Sequence, residues 1–120
     1  MLSLLLARKY VEVRADKTWE DAKSNCAAMG ARLMEVRNQE EFDRALRFRL
    51  TIPSPIWLGG SDIQVEGNWV WDSNGEAVNL NQFWLETRPD NSPSRNCILL
   101  DRGMFDFGCN YGQSSFCEFN

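Results

Sequence analysis

WEDAKSNCAAMGARL, Trp19 to Leu33, is the stretch on which the reading of this chain turns. Thr18 stands before it as an N-cap, with Asp21 three residues on as an acidic partner in a capping box. Trp19, Ala22, Cys26 and Met29 recur at helical spacing and predict one apolar face. Gly30 ends the helix, since glycine enters the left-handed conformation of a C-cap without steric cost. The face carries Cys26 inward, where a bridge to a distant strand can form.

Upstream, KYVEVR (Lys9 to Arg14) alternates and is β-branched, which predicts a strand. Downstream, Arg32 to Val36 reads as a short apolar strand. Asn38 opens a second helix with Glu40 and Glu41 in its first turn, where the helix dipole favours acids. Phe42, Ala45, Leu46 and Arg49 mark its buried side and edge, and Pro53 and Pro55 end it. Beyond Ile56 the texture changes. Ile56 to Leu58, Trp69 to Trp71, Cys97 to Leu100 and Ser115 to Phe119 read as strands separated by Gly, Asn, Asp, Ser and Pro. Between Trp71 and Cys97 lies a long polar stretch, a length that in compact domains is usually functional or disordered. Two helices followed by strands is an α+β order.

The 120 residues fit one domain, 1–120, with one core, and 43 % of them are hydrophobic. No repeat or linker divides the chain. The net charge is −4 and no basic stripe occurs, which argues against a nucleic-acid partner. No apolar run is long enough for a membrane span. Met1 to Ala7 is apolar and reads either as the remnant of a secretion signal or as an N-terminal strand, the latter preferred because a basic leader and a small-residue cleavage pattern are missing. Histidine is absent, which removes the commonest general base and the commonest transition-metal ligand. No nucleophile constellation compensates, so an enzyme is not expected. The four cysteines, Cys26, Cys97, Cys109 and Cys117, contain no C-x-x-C pair and read as two disulfides of a secreted protein. Composition does not choose among their pairings.

Taken together, these segments resemble the C-type lectin domain family. WEDAKSNCAAMGARL is similar to its first helix, IWLGGSD (Ile56 to Asp62) to its W-I-G-L core strand, and EGNWVWDSNG (Glu66 to Gly75) to the segment entering its long loop. FWLETRPDN (Phe83 to Asn91) sits where the family has its sugar-specificity tripeptide, and CILLDRGMFDFGC and FCEF complete the pattern. The resemblance spans Tyr10 to Phe119 and is to the short form, without an extra N-terminal cysteine pair. It implies a C-type lectin fold: two helices, two small antiparallel sheets and a long loop region. It also implies the pairs Cys26–Cys117 and Cys97–Cys109, and a cis bond before Pro89.

The family's calcium-using members hold the ion with an E-P-N or Q-P-D tripeptide, a Glu before the following cysteine, and an Asn-Asp pair. Calcium needs about six to eight oxygen ligands, and sugar hydroxyls complete the shell. Here the tripeptide is Arg88-Pro89-Asp90, Arg95 stands at the Glu position and Phe105 at the Asn position; Asp90 and Asp106 remain. Two cations in place of ligands predict that no calcium bridges the sugar, and no cofactor is expected. Asp62, Glu66 and Asn91 match an auxiliary calcium site, but capping of the turn around Gly67 is the preferred reading of Asp62 and Glu66. Arg88, Asp90, Asn91, Arg95, Asn96, Phe105, Asp106 and Phe107 form the candidate carbohydrate site. Forked donors, carboxylate acceptors and an aromatic face suit an acetamido group. The R-P-D sequence is similar to a bivalve-mollusc group of C-type lectins that recognise N-acetylated hexosamines without calcium. The implied partners are glycans with N-acetylglucosamine or N-acetylgalactosamine. The competing reading of the same residues is a solvated salt-bridge cluster, Arg88 and Arg95 on Asp90 and Asp106. Trp71 and Trp84 are expected to pack beneath the loop, and Tyr111 to be exposed. A protein-binding domain without a sugar site is the alternative function, with ice or mineral binding as a variant; the polar loop disfavours it. Single sugar sites are weak, so a non-covalent homodimer, or a heterodimer with a similar chain, is expected, with Met1 to Leu6 as a pairing strand.

Overall fold

The computed structural model describes residues 9–119. The N-terminal pairing strand expected at Met1 to Leu6 lies outside the described residues. Strand β1 (Tyr10–Lys17) leads into helix α1 (Trp19–Ala28), then β2 (Arg32–Leu33), helix α2 (Gln39–Arg49), β3 (Ile56–Ser61), β4 (Val70–Trp71), β5 (Cys97–Leu100), β6 (Met104–Phe107) and β7 (Gln113–Glu118).

Local chemistry sets both helices. Thr18 Oγ1 accepts the Asp21 N–H at 3.2 Å, and Asn38 Oδ1 accepts the Glu41 N–H at 2.9 Å. At the end of α1 the Ala31 N–H donates to Cys26 O and the Gly30 N–H to Ala27 O, with Gly30 at φ 76°. That is the paired Schellman arrangement, which satisfies carbonyls the helix leaves open. Trp19, Ala22 and Cys26 are buried as the spacing predicts, but Met29 is exposed. It is the C-cap residue, where the chain already turns out of the helix toward solvent. Helix α2 stops at Arg49, ahead of Pro53, with Leu50 as its cap.

The strands run in the order β1-β7-β3-β5-β6, with β2 also on β7 and β4 on β3. All pairs are antiparallel except β3 with β7, which pair in parallel at Ile56 and Trp57 against Ser114 and Ser115. This short parallel junction joins the two small antiparallel sheets expected from the sequence into one mixed sheet. Both faces of β3 and β5 are covered, so these strands are apolar throughout rather than alternating. Ile56, Leu58, Ile98 and Leu100 face a core shared with Ala45 and Phe42 of α2; Trp57, Cys97 and Leu99 face one shared with Trp19, Ala22 and Cys26 of α1. Strand β3 approaches its neighbours so closely at Gly60 that an added Cβ would lie 2.5 Å from Ile98 Cδ1.

Cys26 bridges to Cys117 and Cys97 to Cys109, the pairing the family resemblance implied, with Cα–Cα distances of 5.3 Å in both. The first links α1 to β7 across 91 residues of chain; the second closes 12 residues around the β5–β6 hairpin. From loop closure alone the first is worth about 4.6 kcal/mol and the second about 3 kcal/mol. The paired substitution Cys26→Ser with Cys117→Ser is therefore expected to lower unfolding free energy more than Cys97→Ser with Cys109→Ser. Urea denaturation of the two variants tests this order.

Candidate functional site

The long segment between β4 and β5 is held by charged and polar anchors at both ends. At its start Glu35, 3 % exposed, accepts from the Ser73 N–H at 3.0 Å and the Ser73 hydroxyl at 2.7 Å, and Arg37 pairs with it at 2.7 Å. Arg37 also donates to Glu76 at 3.0 Å and to Asn74 at 3.1 Å. Glu35 and Arg37 escaped the sequence reading, because nothing in their local pattern shows the loop that folds back onto them. Along the middle, Trp84 Nε1 donates to Asn79 O at 2.8 Å and its ring meets Trp69 edge-on at 5.6 Å. Trp71 is buried and Trp84 half-buried, so both support the loop from below.

At the far end the Arg88–Pro89 bond is cis, and the candidate residues converge. Arg88 Nη1 donates to Asp106 Oδ1 at 2.7 Å and to Asp106 O at 2.8 Å. The second carboxylate oxygen of Asp106 accepts the Asp90 N–H at 3.1 Å. Arg95 Nη1 donates to Asp90 Oδ2 at 2.6 Å, and Asp90 Oδ1 accepts the Ser92 N–H at 3.0 Å. The Arg88 guanidinium lies 5.5 Å from the centre of the Phe105 ring. Phe105, Phe107 and Tyr111 form an edge-to-face and tilted series with centroid spacings of 5.9 and 5.3 Å. Tyr111 is exposed, as expected.

Three expected contact residues are engaged elsewhere. Asp106 is fully buried and meets the surface only through Arg88 and the Asp90 backbone. Asn91, at φ 56°, accepts from Trp69 Nε1 at 2.9 Å and so ties the loop to the core. Asn96 donates to Pro93 O at 3.1 Å while its Oδ1 is buried. The outer surface of the site is left to Arg88, Asp90, Arg95, Phe105 and Phe107. Burial, then the neighbouring Asp90 carboxyl, push the Asp106 carboxyl above its usual range, against the pull of Arg88. The Asp106 carboxyl, then the Ser92 N–H, hold Asp90 below its usual range.

At the position of the family's sugar-bridging calcium, this arrangement puts the donors of two guanidinium groups against the remaining carboxylates, a set that does not fit a cation. At the auxiliary position Asp62 Oδ2 accepts the Gly67 N–H at 2.8 Å, which is the turn-capping arrangement. Asp62 Oδ1 is buried without a partner there, and the Asp62 carboxyl, then burial, push Glu66 upward. No cluster of three acidic, histidine or cysteine side chains suited to a metal occurs among the described residues.

The chain belongs to the C-type lectin domain family, whose model matches residues 15–119. It is 31 % identical over 114 residues to C-type lectin domain family 4 member D of Homo sapiens, covering 91 % of this chain and 53 % of that protein. Among solved structures it superposes on the mouse scavenger receptor C-type lectin carbohydrate-recognition domain with a TM-score of 0.80 at 26 % identity, covering 92 % of this chain and 88 % of that one. A Ca2+-dependent type II antifreeze protein in its Ca2+-free form gives a TM-score of 0.81 at 27 % identity, covering 92 % and 90 %. The chain spans 21 to 65 % of the first curated relatives it matches. None of these three is an enzyme by name, and no helix among the described residues is long and apolar enough to cross a membrane.

The two ion pairs differ in burial, and so in energy. Arg88→Ala is expected to cost about 3 kcal/mol, because it strands the buried Asp106 carboxylate. Arg95→Ala is expected to cost under about 1 kcal/mol, since both members of its pair with Asp90 face solvent. Without Arg88 the folded-state pKa of Asp106 moves further above its unfolded value. The deficit of Arg88→Ala should then shrink in acid, where Asp106 is protonated in both states, and grow as pH rises through the folded-state pKa. Urea denaturation at acidic and neutral pH measures both effects.

Proposed function

We propose that this domain binds N-acetylated hexosamines, N-acetylglucosamine or N-acetylgalactosamine, through the acetamido group and without a calcium ion bridging the sugar. The observation that carries the reading is the state of the two arginines. Each is fixed by one nitrogen on a carboxylate, and among the described residues no acceptor meets the Nε or Nη2 donors of either. Arg88 and Arg95 keep 26 % and 43 % of their side-chain surface exposed. Such anchored forks present donors to a sugar carbonyl at little further entropic cost. Asp90, 36 % exposed, retains lone pairs for the acetamido N–H; the buried Asp106 is assigned to positioning Arg88. Phe105 and Phe107 supply apolar surface for the methyl or the sugar face. The reading includes secretion, non-enzymatic action, and avidity through a non-covalent dimer, because all four cysteines are bridged.

The second reading, docking of a protein or of ice on the same fold, is favoured by a different observation. Leu80 and Leu85 on the long segment, and Ile63 and Val65 before β4, are exposed, so this region is less polar than its Asn and Ser content predicts. The antifreeze relatives carry the ice variant.

Titration calorimetry in EDTA separates these readings. Wild-type protein is expected to bind N-acetylglucosamine in EDTA and to lose binding when the acetyl group is removed from the sugar. Arg95→Ala should weaken binding about tenfold with the fold intact. Binding abolished by EDTA, or indifferent to the acetyl group, overturns the proposal.

A further inference from the structure

The described surface carries a second concave site, and it shares no residue with the loop. Lys9, Tyr10, Arg44, Arg47 and Phe48 line a cavity of about 290 Å3 between the start of β1 and the C-terminal half of α2. Arg44, Arg47 and Phe48 stand three and four residues apart on α2 and therefore on one face. Tyr10 organises the site. Its ring meets Phe48 edge-on at 4.9 Å, and Phe48 in turn stacks on the core residue Phe116 at 5.2 Å. Its hydroxyl accepts from Arg44 Nη1 at 3.1 Å, while Lys9 Nζ lies 5.8 Å and the Arg44 guanidinium 5.9 Å from the ring centre. The Lys9 carbonyl accepts the Phe119 N–H at 2.7 Å, which anchors the cation's backbone to the C-terminal strand.

Three cations thus converge on one small cavity in a chain of net charge −4. Their carboxylate compensation is slight. Arg44 meets Glu40 at 3.3 Å, but Glu40 is 82 % exposed, where such a pair contributes little. Among the described residues no carboxylate lies within 4.0 Å of the charged nitrogens of Lys9 or Arg47. Like charges held together repel, and an anion placed among them removes that cost. The half-buried rings of Tyr10 and Phe48 add an apolar wall beside the charges, suited to a sugar ring. Donors arriving from three side chains match a tetrahedral group with three outward oxygens better than a planar carboxylate with two.

We infer that this cavity is a second saccharide site, which takes a sulfate group carried on a sugar ring. The test is titration of the full chain with a sulfated heparin-type oligosaccharide, its desulfated but still carboxylated counterpart, and inorganic sulfate as competitor. The sulfated oligosaccharide is expected to bind, the desulfated one at least about tenfold more weakly, and inorganic sulfate to compete. Lys9→Ala with Arg47→Ala should reduce affinity at least about tenfold, whereas Arg102→Ala, which removes an exposed cation elsewhere, should leave it unchanged. Equal binding of the desulfated chain, an unchanged affinity in the double variant, or an equal loss in Arg102→Ala overturns the inference. Titration with N-acetylglucosamine runs in parallel and is expected to be indifferent to Lys9 and Arg47, so that the loop reading and this one succeed or fail separately.

Discussion

The Cys26–Cys117 bridge joins the two elements around which the rest of the domain is arranged. Strand β7 pairs with β1 along its whole length, with β2 at Cys117 and Glu118 and with β3 in parallel at Ser114 and Ser115, and α1 packs against its Cys117. A helix and a strand separated by 91 positions in sequence become one unit, and the chain between them becomes a closed loop in the unfolded state as well. That restriction matters in a small domain, where a single core leaves a narrow margin of stability. It also frees a long segment from carrying regular structure. The chain between β4 and β5 contributes isolated bridges and no strand, yet both of its ends are held.

The loop is shaped by buried charge. Glu35 at one end and Asp106 at the other are nearly or fully inaccessible, and each is met by an arginine and by backbone N–H groups of the loop. A buried carboxylate is costly unless its oxygens are satisfied. Each therefore demands one particular arrangement of the loop around it. Arg88 and Arg95 then stand as fixed donors at the position where the resembled family uses a cation. The positive charge is supplied by side chains, and its direction is set by Asp106 and Asp90.

Relatives of similar likeness include a carbohydrate-recognition domain and an antifreeze protein, so the fold limits the class of partner less than the loop does. The distinction between surfaces is local. Anchored arginines beside Asp90 favour a polar ligand, and the exposed Leu80, Leu85, Ile63 and Val65 favour an apolar one. The basic cavity at Tyr10 and Phe48 lies on different elements and follows from the geometry of α2 against β1.

By itself the sequence determined what depends on near neighbours. Helix periodicity, the caps at Thr18 and Asn38, the stop at Gly30 and the apolar strands all rest on local contacts, and the structure reproduces them, except that Met29 turns out to solvent at the end of α1. The family pattern extended this to the disulfide pairing, and raised the expectation that Arg88 and Arg95 stand where calcium ligands would. Tertiary structure alone decided the rest. The joining of the sheets by β3 and β7, the Glu35 anchor, the burial of Asp106 and the engagement of Asn91 with Trp69 are contacts between residues far apart in the chain. Whether a polar residue faces solvent or stabilises a loop from within depends on which distant groups satisfy it, and no local spacing encodes that.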